Sequence, residues 1–290
     1  MAAFDDRDGW IWMDGEFVPH RDAKVHLLTH ALHYASCVFE GERAYDGVVF
    51  KSREHSERLH RSARILGFSL PYAPEEFDKI KQELVKKQGF ENCYMRALAW
   101  RGSQQMGVAA QRDDVHVAVA AWEWGDYFAD KMKGVRLMIA PWRRPAPDTA
   151  PANSKAAGLY MICTLSRHAA NDAGFDDAIM FDWRGQIAEG TGANIFFVRD
   201  GVLHTPKPDC VLDGITRQTV IALAQKRGIE VVERAIFPNE MATFSEAFLT
   251  GSAAEITPIR EIAGLPFKPA AMTEQLMHDF AALTRRKSNV

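Results

Sequence analysis

The sequence predicts an α/β fold of the α+β type, divided into two domains. Three observations point there. Three Asp-Gly dipeptides (Asp14-Gly15, Asp46-Gly47 and Asp200-Gly201) each sit between apolar, strand-like runs. Glycine supplies the positive φ of a tight turn, so each reads as a β-hairpin with antiparallel strands, not as part of a doubly wound sheet. Helical stretches that stop at Gly67, Gly89 and Gly228 separate these runs. Finally, the segment from Pro141 to Ala152 holds four prolines in twelve residues. Neither a helix interior nor a central strand accommodates that. The expected layout is a smaller N-terminal domain over 1–140, a connection over 141–152, and a larger domain over 153–290 with mixed and antiparallel strands and flanking helices.

In chain order, Trp10 to Met13 and Glu16 to Val18 form the first hairpin, and Arg43 to Tyr45 and Val48 to Phe50 the second. Ser52 reads as the N-cap of a helix reaching about Leu66. A second helix runs from Glu75 to Gln88. Asn92 to Trp100 reads as a strand. Its period of two puts Tyr94 and Arg96 on one face, alternating with Cys93, Met95 and Ala97. Val115 to Trp122 and Val135 to Ala140 are further strands. Beyond the connection come a helix from about Gly158 to Ala173 and strands at Asp177 to Phe181, Gln186 to Glu189, Ile195 to Val198 and Val202 to His204. A helix from near Thr216 to Gly228, a strand from Glu230 to Glu233, a strand from Phe244 to Thr250 and a helix from Thr273 to Arg285 complete the chain. The tail from residue 285 is expected to fray.

Composition narrows the function. Of 290 residues, 47% are apolar and 25% charged, which is ordinary for a globular protein. The net charge of −3 argues against a nucleic-acid partner, which would call for a basic excess. No apolar run reaches the ~18 residues of a membrane span, and the polar, acidic first residues do not resemble a signal peptide. Cys37, Cys93, Cys163 and Cys210 lie far apart, without a C-x-x-C pair. They read as reduced thiols of a cytoplasmic protein. Small molecules are the expected partners, not nucleic acid or membrane.

Two residues are candidates for the chemistry. Lys155 lies in Ala152-Asn-Ser-Lys-Ala-Ala-Gly-Leu-Tyr160, and Glu189 opens Glu189-Gly-Thr-Gly-Ala-Asn194. Pyridoxal phosphate (PLP) chemistry needs an amine that forms a Schiff base with the cofactor aldehyde. It also needs a carboxylate that keeps the pyridine nitrogen protonated. Taken singly, such residues also read as a surface charge and a turn. Asp213-Gly-Ile-Thr-Arg217 lies where a loop becomes a helix, a ready anion site. Asp213 or Thr216 acting as a plain helix cap accounts for the same residues. Thr250-Gly-Ser-Ala-Ala-Glu255 is a second small-residue turn able to offer N–H groups. Arg58 could add a guanidinium to an anion, or be an ordinary surface arginine. His26, His30 and His33 are spaced like metal ligands, but no carboxylate lies between them and the segment is largely apolar. They read as packing or hydrogen-bonding histidines, and no metal is expected.

With these residues in view, the stretch from Ala23 to Arg43, which includes His30-Ala-Leu-His-Tyr34 and Phe39-Glu-Gly41, resembles the N-terminal signature of branched-chain amino acid aminotransferases. These are class IV aminotransferases of PLP fold type IV. The resemblance continues through Arg53-Glu-His-Ser-Glu-Arg-Leu-His60, Tyr94-Met-Arg96, Met106-Gly-Val108, the Lys155 segment, Glu189 to Asn194, Gly214-Ile-Thr-Arg217 and Gly251 to Pro258. It covers nearly the whole chain in order. It implies that Lys155 is the Schiff-base lysine and proton shuttle, and that Glu189 pairs with the pyridine nitrogen. Tyr160 would hydrogen-bond the ring hydroxyl. Arg58, Ile215, Thr216 and Ser252 would hold the phosphate, with Leu212 and Gly192 flanking the ring. For substrate, it implies that Tyr94 and the turn at Ser252-Ala253 receive the α-carboxylate. Tyr34, Phe39, Tyr160 and Trp142 would wall the side-chain pocket. Met106, Gly107 and Val108 would arrive from a neighbouring subunit, making a homodimer with a shared site. Further assembly into hexamers is left open.

The reaction so implied is transamination between leucine, isoleucine or valine and 2-oxoglutarate. An apolar pocket binds the first group by burial. It rejects the γ-carboxylate of glutamate unless a cation stands at its rim. Arg96, on the face of Tyr94, fits that role, while an arginine in a structural ion pair is the plainer account. D-amino acid aminotransferases, (R)-amine transaminases and aminodeoxychorismate lyases share the scaffold. Phe39-Glu-Gly41, Tyr94-x-Arg96 and Met106-Gly-Val108 look like the branched-chain pattern instead. A silent PLP-binding protein would lack Lys155 or Glu189. The chain departs from the pattern at Cys37, Glu42, Ala156-Ala157, Leu159 and Ser252. None of these removes a catalytic group, and no role is assigned to Glu42 or Arg43.

Overall fold

The computed structural model describes residues 3–125 and 131–285. Among these the chain divides into two compact units, one of residues 3–125 with 154–158, the other of 131–153 with 159–285. The expected fraying of the tail falls on residues outside those described, save Arg285. Among the described residues no helix is long and apolar enough to cross a membrane.

The first unit contains β1 (Trp10–Met13), β2 (Glu16–Pro19), α1 (His30–Tyr34), β3 (Cys37–Phe39), β4 (Glu42–Tyr45), β5 (Val48–Val49), α2 (Ser52–Ile65), α3 (Pro74–Gln88), β6 (Cys93–Arg101) and β7 (Val115–Glu123). Its strands form one antiparallel sheet in the order β2-β1-β7-β6-β4-β5, with β3 on β6. Asp14 (φ 49°) with Gly15 (φ 104°), and Asp46 (φ 49°) with Gly47 (φ 78°), make the tight hairpin turns that the Asp-Gly pairs predict. One sheet face is core. Val38, Met95, Ala97, Ala99, Val117, Val119 and Ala121 pack with Leu59, Phe77 and Leu84 of the two long helices. Burial of each large apolar side chain contributes about 1.5–3 kcal/mol.

The second unit contains β8 (Val135–Ile139), α4 (Met161–Asp172), β9 (Asp177–Phe181), β10 (Ile187–Gly190), β11 (Asn194–Arg199), β12 (Val202–Thr205), α5 (Ile215–Lys226), β13 (Val231–Glu233), β14 (Glu246–Gly251), β15 (Glu255–Ile262), β16 (Leu265–Pro266) and α6 (Ala271–Thr284). The sheet order is β10-β9-β8-β15-β14-β11-β12-β13, with β16 on β15. It is mixed: β8 runs parallel to β9 and β15, and β12 to β13. Leu137, Ile179, Ile195, Phe197, Leu249 and Ile259 are fully buried in its core.

Four features differ from the sequence reading. Ser52 does not cap α2; Lys51, at φ 50°, holds the N-cap position, and the Ser52 hydroxyl donates to Asp78 at 2.8 Å. Strand 135–139, expected in the first domain, pairs with β9 and β15 in the second sheet. Lys155, expected in the second domain, packs in the first unit, because Ser154 and Lys155 bond to Ser62 and Ala156 bridges to Val38. Strand β15 has no counterpart in the sequence reading. Pro258 lies within it opposite Phe248 of β14, and its parallel ladder with β8 begins one residue later, at Ile259.

Candidate active site

In the first unit the sheet face opposite the core carries several of the candidate site residues. Residues 94 and 96 of β6 share that face with Phe39 of β3, which pairs with Leu98. Arg96 Nη2 lies 3.4 Å from the Tyr94 hydroxyl, and its guanidinium stands 4.5 Å over the Phe39 ring. The Lys155 ammonium stands 4.8 Å over the same ring. Backbone bonds hold that lysine: its N–H donates to Ser62 Oγ at 3.0 Å, and its carbonyl accepts from the Phe39 N–H at 3.1 Å. Burial and the Arg58 guanidinium push the Lys155 amine down to about 8, against the opposing pull of Glu40 and Tyr94.

Arg58 projects from α2 and is buried. Its Nε and Nη2 donate to the two oxygens of Glu40 at 2.7 and 2.8 Å, and His55 Nδ1 lies 2.6 Å from the same carboxylate. Burial would raise the Glu40 carboxyl, but Arg58 and His55 together hold it far below the usual carboxylate range. The sequence reading gave Glu40 and His55 no role. Both lay within motifs already quoted, and only the fold shows that they orient Arg58. Gly41 is tied to Tyr94, because a Cβ there would overlap the tyrosine hydroxyl. Trp122 and Trp124, also unassigned from sequence, pack on the Tyr94 ring at 5.2 and 5.0 Å.

Tyr34 and the loop bearing Met106, Gly107 and Val108 lie at the surface of this unit. Tyr34, Met106 and Val108 are exposed, Val108 to 86%. Glu42 and Arg43 now have places. Glu42 is fully buried and accepts from Lys81 at 2.8 Å, and Arg43 stacks on Tyr45.

In the second unit Glu189 ends up buried on β10. Arg144 Nε lies 3.2 Å from its Oε1. Burial opposes the charge on Arg144, yet Glu189, Cys163 and Tyr160 raise its pKa on balance. Asn194, at the start of β11, donates to the Leu212 carbonyl at 3.0 Å and reaches Glu189 at 3.5 Å. It also pairs with Thr250 across the sheet. A Cβ on Gly214 would overlap its side-chain oxygen. One asparagine therefore gathers Glu189, Leu212, the head of α5 and the end of β14. Sequence reasoning quoted Asn194 but gave it no role, and it placed Arg144 only in a connection.

Gly214 is the N-cap residue of α5 and offers no side chain, so neither Asp213 nor Thr216 caps the helix. Arg217 turns back to Asp213 at 2.9 Å. Ile215 and Thr216 are buried in the first turn, where helix N–H groups have no partner within the helix. Gly192 sits in the turn closed by Gly190 N–H to the Ala193 carbonyl at 2.7 Å. A Cβ on Gly251 would come within 3.4 Å of the Gly192 carbonyl, so this turn and the Ser252-Ala253 turn are neighbours. Tyr160 is the residue before α4. Trp142 follows β8 and is 49% exposed.

Comparison with known proteins agrees with the fold. Residues 37–262 match the family model of amino-transferase class IV. A branched-chain-amino-acid aminotransferase of Pseudomonas aeruginosa is 39% identical over 98% of this chain and 95% of its own. Among solved structures, a branched-chain aminotransferase from Thermoproteus uzoniensis, crystallised with norvaline, superimposes with a TM-score of 0.94 at 39% identity, covering 98% of this chain and 97% of that one. A T.th. branched-chain amino acid aminotransferase with pyridoxamine 5'-phosphate gives 0.93 at 38% identity, covering 97% and 96%. With identity at this level along nearly the whole chain and both sheets in common, the chain belongs to the class IV aminotransferases of fold type IV, among the branched-chain-amino-acid aminotransferases.

Proposed function

We propose that this protein catalyses PLP-dependent transamination between leucine, isoleucine or valine and 2-oxoglutarate, releasing branched 2-oxo acids and L-glutamate. The observation that carries this reading is the face on which Lys155, Phe39, Tyr94 and Arg96 converge. An aromatic surface there suits a branched aliphatic side chain, and a guanidinium above it suits the second carboxylate of glutamate.

The residues fit the cofactor. A lysine held near 8 is far more often a neutral amine at working pH than an ordinary lysine. The uncapped head of α5, with Thr216 in its first turn, suits a phosphate. When bound, PLP supplies an aldehyde that exchanges amino groups and a ring that draws off the electron pair released at the substrate Cα. Lys155 Nζ then takes the Cα proton and later returns one. Glu189 keeps the pyridine nitrogen protonated, and Arg144 and Asn194 fix that carboxylate. Arg58, Ile215, Thr216 and Ser252 would bind the phosphate. Tyr160 would hold the ring hydroxyl, and Leu212 and Gly192 would flank the ring. Tyr94 and the Ser252-Ala253 turn bind the α-carboxylate. Tyr34, Phe39, Tyr160 and Trp142 enclose the side chain.

Met106, Gly107 and Val108 serve a second subunit in a homodimer, and the exposure of Met106 and Val108 supports that role. We place the enzyme in the cytoplasm. None of its four cysteines forms a disulfide, as a reducing compartment requires.

The test uses PLP-loaded protein with L-leucine, D-alanine or (R)-1-phenylethylamine in separate cuvettes, following the cofactor absorption band. Fast bleaching by L-leucine, reversed by 2-oxoglutarate, is expected. Bleaching mainly by D-alanine or the amine would overturn the substrate assignment and leave the cofactor intact.

A further inference from the structure

Three stretches of the first unit carry residues read above as binding substrate: α1 with Tyr34, β3 with Phe39, and the loop with Met106, Gly107 and Val108, which serves a second subunit. All three are joined through one imidazole. His30 is 3% exposed, although Leu28, Leu32 and Tyr34 around it are open to solvent. Its Nε2 lies 2.8 Å from the Gly107 carbonyl oxygen, and its Nδ1 lies 2.6 Å from Ser36 Oγ, just ahead of β3. Its ring stacks on Tyr34, with centroids 4.6 Å apart and planes 29° from parallel. Its own N–H donates to the Gly102 carbonyl at 2.8 Å, at the base of the same loop.

A carbonyl oxygen only accepts, so Nε2 carries a proton, and in the neutral ring Nδ1 takes the Ser36 hydroxyl hydrogen. Both nitrogens are committed, and burial keeps the ring away from any ligand. Gly107 has φ +128°, a conformation that residues with side chains rarely adopt, so the carbonyl that His30 holds belongs to a specialised turn.

We propose that His30 is a positioning residue. It holds the Met106–Val108 loop, which this chain gives to a second subunit, against Tyr34 and Ser36, and so fixes the shape of the shared substrate site without touching substrate. This rests on the transaminase reading above, but it concerns substrate affinity and not the cofactor.

The test compares three variants as PLP-loaded enzymes. His30→Phe keeps a ring for stacking and loses both hydrogen bonds. His30→Gln keeps a donor and an acceptor and loses the ring. Ser36→Ala removes only the Nδ1 partner. Steady-state KM and kcat are measured together with PLP saturation. In His30→Phe, KM for the amino acid should rise about five- to tenfold, the lower end of the factor that two lost hydrogen bonds carry, with kcat and PLP saturation near wild type. His30→Gln should recover part of the loss, and Ser36→Ala should show a smaller rise in KM alone. An unchanged KM in His30→Phe would overturn the proposal, as would a joint fall of kcat and PLP saturation in Ser36→Ala. Should His30→Phe fail to fold, Ser36→Ala decides by the same criterion. A wild-type enzyme inactive on branched-chain amino acids would sink the functional reading instead. His30 is then judged by the same ratios on whichever amine the wild type accepts.

Discussion

The two units hold their candidate site residues in opposite ways. In the first, Tyr94 and Arg96 stand in the first half of a nine-residue strand whose other face is solid core. Backbone ladders on both sides fix where such side chains point. In the second, Glu189, Gly192, Asn194, Ser252 and the head of α5 all lie at strand ends, turns and a helix start. Nothing in the strand repeat aims them; a single asparagine side chain ties several of them together. A rigid strand face suits the choice of substrate, while convergent backbone N–H groups suit a phosphate.

The first way to break this comparison is to remove its central amine. Lys155→Ala should reduce leucine–2-oxoglutarate turnover to background while PLP still binds without the lysine's covalent link. Any substantial residual turnover rules out the role given to Lys155. In the other unit, Glu189→Gln should lower kcat by roughly 10²–10³-fold, as loss of a preorganised charge does. Near-normal kcat would mean that another group controls the pyridine nitrogen.

Two glycines sharpen the contrast directly. Gly41→Ala displaces the Tyr94 hydroxyl, and Gly214→Ala displaces the Asn194 side chain. The first should cost on the order of a hundredfold in kcat/KM for the amino acid and spare PLP affinity. The second should weaken PLP binding before it affects KM. If both variants shift the same parameter, the division of labour between strand face and turns is wrong.

Scaffold charges come next. Lys81→Met leaves Glu42 buried without its cation, which should destabilise the protein by about 3–5 kcal/mol. Glu42→Leu combined with Lys81→Met should recover most of that in thermal unfolding. A single variant as stable as wild type would show that the pair contributes little.

The smallest effect is the pH dependence. Lys155 holds its proton less tightly in the fold than its usual value of 10.5, near 8 instead. Between those values the unfolded chain binds more protons, so this group's contribution to stability rises with pH from about 8 towards 10.5 and is lost as pH falls through 8. The rate of PLP loading onto apoprotein should climb with an apparent pKa near 8. A loading curve still climbing with an apparent pKa close to 10.5 would contradict the burial and Arg58 effect.

Much of this was legible locally. The Asp-Gly turns, the Gly89 stop, the alternation that aligns Tyr94 with Arg96, and the loop-to-helix start at residue 214 each depend on a few neighbouring residues. Strand β15 was not legible, because it carries Pro258, and a proline speaks against a central strand. The domain of Lys155 was not legible either, since a five-residue segment leaves its sequence neighbours to join the first unit.

By itself the sequence determined most element types and their order, because propensity and periodicity act over a few residues, and its motifs carried the family and the residue types able to do the chemistry. Only the tertiary structure decided which charge answers which: Glu40 to Arg58 and His55, Glu42 to Lys81, Arg144 to Glu189, and His30 to Gly107. Those partners lie up to 77 residues apart. They are selected by burial, where a charge or polar group left without a partner is too costly to keep, and that selection exists only once the chain has packed.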